Sequence, residues 1–165
     1  MYAQKDSAVL IGRIAISIMF ITSGFSKLTG FSGTVAHIAD MGVPFPEAAA
    51  AIAVLIELGG GLAILFGWLT RWVSLAFVVF LVVITPIFHG FWTMDGAERM
   101  ANQINFMKNL TILGGFLLLY AFGPGRFSID ERSPRTEPEA EPEGRDMRDF
   151  TRGYANRARL SPDHR

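Results

Sequence analysis

The sequence predicts an all-α integral membrane protein, a four-helix bundle with a charged tail. Three observations carry that prediction. Half of the 165 residues are hydrophobic and only 18% are charged, too apolar a composition for the surface of one soluble domain. The apolar residues gather in four blocks, roughly 8–25, 48–69, 72–88 and 106–122, while the charges crowd into the last thirty-odd residues. Finally, "AIAVLIELGGGLAILFGWL" and "WVSLAFVVFLVVITPIF" show no polar face at any helical period, as expected of helices surrounded by lipid. A helix crossing ~30 Å of hydrocarbon needs ~20 residues, so each block is read as one span.

The first helix is expected at about 8–27. Arg13 interrupts its apolar core and no small-residue cleavage site follows, so it reads as a retained span and not a signal peptide. The second, about 47–69, starts with Pro46 and Glu47, residues suited to a helix N-terminus. The short connection "GWLTRW" makes the third helix, about 71–88, its antiparallel neighbour. "HGFWTMDGAERMANQIN" is long enough for a partly helical cap before the fourth helix, about 106–122, which ends at "GPG". Residues 1–130 thus form the transmembrane domain. Residues 131–165, Pro-rich and of mixed charge, read as a disordered tail that either solubilises or docks.

The basic residues set the orientation. Lys5, Arg71, Arg126, Arg132 and Arg135 flank the spans on one side, against Lys27, Arg99 and Lys108 on the other. The side richer in Lys and Arg faces the cytoplasm, so both termini are expected there, in a bacterial inner membrane.

Several chemistries are excluded. The chain has no cysteine, which removes disulfide exchange, iron–sulfur clusters and thiolate zinc sites. Its three histidines are too scattered to suggest paired haem ligation or a metal site. Zero net charge and the lack of a phosphate-binding glycine loop argue against nucleic acid and nucleotides. No nucleophile, base and orienting acid form a set.

The informative positions are polar residues inside apolar helices. Glu57 stands in mid-span, where an unpartnered charge costs at least ~2.5 kcal/mol and should therefore face the bundle interior. Ala53 and Gly61 share its stripe, with Gly60 and Gly67 close by, so helix two presents a small-residue seam for close helix packing. Arg13, Gly24 and Lys27 fall on one face of helix one. Gly114 and Gly115 offer a similar packing site on helix four, and "GGFLLLYAFG" there echoes "GGLAILFG" in helix two, a hint of two related hairpins. At the outer end, Lys27, His89, Trp92, Asn105, Lys108 and Asn109 are expected to line a polar funnel whose floor is Glu57. Two readings stand. Either Glu57 is neutralised by Arg13, Lys27 or Lys108 and pins the helices, or the cluster relays protons or binds a ligand.

The ordered segments "GR" at Gly12 and Arg13, "GFSK", "IELGGGLAILFG", "HGFW", "KNLTILGG" and "GPGRFSID" resemble the DoxX family of small bacterial inner-membrane proteins over about residues 8–130. The resemblance implies a four-helix membrane core, importance for Arg13, Gly24, Lys27, Glu57, Gly61, His89, Trp92, Lys108 and Asn109, and association with redox assemblies such as thiosulfate:quinone oxidoreduction. With no encoded redox group, such a role requires a bound quinone or redox partner proteins. The alternative is a non-enzymatic scaffold or small-solute transporter. Small-residue stripes also offer faces on which a homo-oligomer is expected to form.

Overall fold

A computed structural model describes residues 2–132; of the expected tail, 131–165, the first two residues belong to a helical turn and 133–165 lie outside the described residues. The described chain is helical: α1 (Tyr2–Thr29), α2 (Phe31–Asp40), α3 (Pro46–Phe66), α4 (Thr70–His89), α5 (Gly96–Phe122) and a single turn, α6 (Ile129–Arg132). Four of these, α1, α3, α4 and α5, are long and apolar enough to cross a membrane. The all-α membrane bundle read from composition is therefore the observed architecture.

Each helix boundary has a local cause. Pro46 occupies the first turn of α3, where its missing N–H is no loss. Gly67, at φ 69°, ends α3 in the left-handed region, which glycine enters without a Cβ penalty. Gly123 (φ 79°) similarly follows α5. Two features were not anticipated. The stretch after helix one forms the short helix α2, and α5 starts at Gly96, so most of the expected cap is simply the first turns of a longer helix.

The helices pack as two antiparallel hairpins. In the first, Gly24 of α1 lies against the backbone of Leu58, Gly61 of α3 against Ile21, and Gly67 against Arg13. Any larger residue at 24 would bring a Cβ to 2.5 Å from the Leu58 nitrogen. The second hairpin is α4 with α5, tied by a hydrogen bond from the Asn109 amide to Thr85 Oγ1 at 3.1 Å. The two hairpins meet at three buried rings. Phe77 stacks on Phe116 at 4.4 Å between centroids, and Phe20 lies 4.4 Å from Phe77 and 5.5 Å from Phe116. Lipid tails are as apolar as the side chains, so such packing, and not expulsion from water, holds membrane helices together; each ring pair adds about 0.5–1.5 kcal/mol beyond simple burial.

Candidate functional site

Glu57 sits where α3 is not an α-helix. Leu55–Gly60 winds as a π-helix, a rare wide turn that recurs at functional positions. Three consecutive glycines, 59 to 61, relax the backbone there, and Gly24 allows α1 to close on it. The carboxylate is buried at 4% exposure. Its Oε2 accepts a hydrogen bond of 2.7 Å from Lys27 Nζ, which also donates to Ser23 Oγ at 2.7 Å. The lysine side chain keeps 32% of its surface exposed against 5% for the glutamate. One end of the pair is therefore sealed in the α1–α3 seam and the other opens outward.

Of the three basic residues that could have neutralised Glu57, geometry selects Lys27. Arg13 is corrected. It lies fourteen residues from Lys27 on the same helix, about 21 Å at 1.5 Å per residue, and its guanidinium is engaged elsewhere. Nε donates to Ile64 O at 2.9 Å, Nη2 to Leu65 O at 2.6 Å, and Nη1 to Pro124 O and Phe127 O at 2.9 and 2.8 Å. Arg13 thus ties the C-terminal carbonyls of α3, the negative end of that helix, to the segment that follows α5.

That segment is a clamp. Asp130 accepts the Leu69 and Thr70 N–H groups at 2.7 and 2.8 Å, capping the positive N-terminus of α4. It also holds Leu69 at φ 48°, a costly conformation for a residue with a Cβ. The Asp130 N–H returns to Gly67 O at 2.9 Å, and Asp6 of α1 accepts the Arg126 N–H at 3.2 Å. A Cβ at Gly67 would come within 2.4 Å of Ser128 Cβ and 2.7 Å of Arg13 Nη2. The sequence placed Gly67 on a helix-packing stripe; the structure makes it the turn that admits the guanidinium.

The remaining polar positions are not drawn to Glu57. No hydrogen bond among the described residues links His89, Asn105, Lys108 or Asn109 to the Lys27–Glu57 pair, so the expected funnel does not close into one site. Asn109 serves the α4–α5 seam through Thr85. Lys108 is exposed and lines an open recess with Ile104, Met107, Thr111 and Ile112 of its own helix. Asn105 is half-buried one turn before Asn109. His89, half-buried at the end of α4, has a buried Nδ1 without a hydrogen-bond partner. Trp92 is exposed and folds over Gly90, with its ring edge-on to Phe106. These long side chains fell near one membrane level in the sequence, but the faces they occupy depend on how each helix is rotated against its neighbour.

The glycines separate similarly. Gly24, Gly60 and Gly61 are helix contacts, against Leu58, Phe77 and Ile21, and Gly115 meets Ile16 of α1; Ala53 is buried. A Cβ at Gly114 would meet nothing within 4 Å, so this glycine, expected at a helix contact, makes none among the described residues. The π-turn and the Arg13 clamp were missed by sequence reasoning. Their signals were present in the three-glycine run and in "GPGRFSID".

Comparison with known proteins agrees with a membrane location. The DoxX family model matches residues 8–90. The chain is 42% identical to the inner membrane protein YphA of Escherichia coli K12, over 79% of this chain and 93% of that protein. It is 47% identical to the inner membrane protein YqjF of the same organism, over 76% and 92% respectively. A more distant likeness, 25% identity over 78% of this chain but 34% of the relative, is to the ER-derived vesicles protein ERV29 of Saccharomyces cerevisiae. No solved structure matches. With a family model spanning half the chain and two relatives matched nearly end to end, the chain belongs to the DoxX family.

Proposed function

We propose that this protein is a bacterial inner-membrane subunit whose Lys27–Glu57 pair receives a small amphipathic molecule of the quinone class, working with redox partner proteins. The single observation that carries the reading is the asymmetry of that pair, a glutamate side chain 5% exposed joined to a lysine side chain 32% exposed. Lys27 uses two of its three N–H donors on Ser23 and Glu57, which leaves one for an incoming carbonyl oxygen. A quinone bound there supplies the redox chemistry. Lys27 orients its oxygen, and Glu57, in a low-dielectric seam, holds or passes a proton at Oε2. Electrons come from the partner, since the chain has no cysteine. The two Escherichia coli inner membrane relatives support the location, and the excess of Lys and Arg beside Asp6 and Arg126 supports a cytoplasmic clamp end, with both termini there.

The test is mass spectrometry of wild type, Glu57→Gln and Lys27→Met, extracted gently from native membranes. A quinone-class molecule or redox partner retained by wild type and depleted in a variant that still melts cooperatively is the expected result. If all three carry only bulk lipid, the reading fails. The contact of Gly24 with the Leu58 backbone favours a second reading, a scaffold in which the ion pair locks α1 to the π-turn; Glu57→Gln would then lower the melting temperature without changing what co-purifies.

A further inference from the structure

Three core hydroxyls are left unexplained by the ion pair and the clamp. Ser17 on α1 and Thr70 and Ser74 on α4 are fully buried, and none of their hydroxyl oxygens has a hydrogen-bond partner. A buried hydroxyl left unpaired costs about 1–3 kcal/mol, so native structures leave few of them. Helical Ser and Thr can relieve the cost by bonding the carbonyl one turn back. Thr22 and Thr111 do so here; Ser17 and Ser74 do not.

The packing brings these hydroxyls to neighbouring levels. Each of α1 and α4 runs antiparallel to α3, so they are parallel to each other. Phe20 and Phe77 meet ring to ring, and Ser17 and Ser74 each stand three residues before their ring, about 4.5 Å along the axis. Four residues further back come Arg13 and Thr70, both held by the one clamp segment: Phe127 O accepts from Arg13 Nη1 and the Asp130 carboxylate accepts the Thr70 N–H. The sets Arg13, Ser17, Phe20 and Thr70, Ser74, Phe77 therefore run in step, with the Ser17 and Ser74 hydroxyls between the Arg13 level and the phenyl rings and Thr70 at the Arg13 level.

We propose that Ser17, Thr70 and Ser74 form a buried water-binding site in the Arg13 half of the bundle, separated from the Lys27–Glu57 half by the Phe20, Phe77 and Phe116 rings. Hydroxyls both donate and accept, as water requires, and a buried water typically takes two to four such partners. A cation is disfavoured by the neighbouring guanidinium. An anion finds that guanidinium already committed to four carbonyls. The phenyl layer then stands between two polar levels of the core.

The test uses the full chain in nanodiscs, comparing wild type with Ser17→Ala, Ser74→Ala and the double variant. X-ray radiolysis of bound water should label Phe20 or Phe77 in wild type despite their burial, and the label should fall severalfold in the double variant. Each single substitution should lower the melting temperature by about 2–4 °C, the shift expected for ~1 kcal/mol in a chain of this size, with the double variant little worse than either because one water is shared. Background labelling of both rings in wild type overturns the proposal whatever the variants do. So do single variants that melt at or above the wild-type temperature, which would mean that the hydroxyls are merely unpaired.

Discussion

Replacing Arg13 by methionine keeps most of the side-chain length and removes the guanidinium, so it isolates the clamp. Four hydrogen bonds of 2.6 to 2.9 Å are lost. A hydrogen bond to a charged group contributes ~1.5–3 kcal/mol net, which summed would exceed the cost of burying the charge in the first place. Removing one member of a buried charged network typically costs ~3–5 kcal/mol, and that range is the expectation here. One acceptor retains a second donor, because the Gly67 N–H also reaches Ile64 O at 3.1 Å, which favours the lower half. At ~2–4 °C per kcal/mol, the melting temperature should fall by roughly 10 °C, read from tryptophan fluorescence in mild detergent. Arg13→Lys should recover part of the loss only, since an ammonium has three donors and no planar fork. An Arg13→Met protein melting within a degree or two of wild type would refute the argument that this residue closes the bundle.

Gly24→Ala should push α1 off the π-turn, because its Cβ would stand 2.5 Å from backbone; overpacking of this kind costs ~1–3 kcal/mol and should appear as a lower melting temperature and a broadened gel-filtration peak. The glycines 67 and 114 should respond in opposite senses. Gly67→Ala combines positive φ with a clash against Ser128 and should destabilise by at least ~1 kcal/mol, whereas Gly114→Ala, in open space within a helix, should be neutral or stabilising by up to ~1 kcal/mol. Asp130→Ala removes the cap of α4 and should cost ~0.5–2 kcal/mol by thermal melting; Asp130→Asn, which keeps one acceptor, should lose less.

The sequence by itself determined the class and number of the membrane spans, because apolar length against bilayer thickness is a one-dimensional property. It also singled out Glu57, since a carboxylate in an apolar run stands out without any knowledge of neighbours. What it left open was partner choice. Arg13, Lys27 and Lys108 were equivalent candidates by charge and reach, and only the rotation and depth of each helix decided that Lys27 meets Glu57, that Arg13 binds carbonyls at the other end, and that Lys108 faces outward from α5. Gly67 and Gly114 read alike as small residues, yet one admits a guanidinium and the other touches nothing, a difference set by what stands opposite each Cα. The π-turn likewise depends on a balance between backbone freedom in the glycine run and the close approach of α1. Contacts between residues far apart in the chain are products of packing, and packing is what the tertiary structure alone decides.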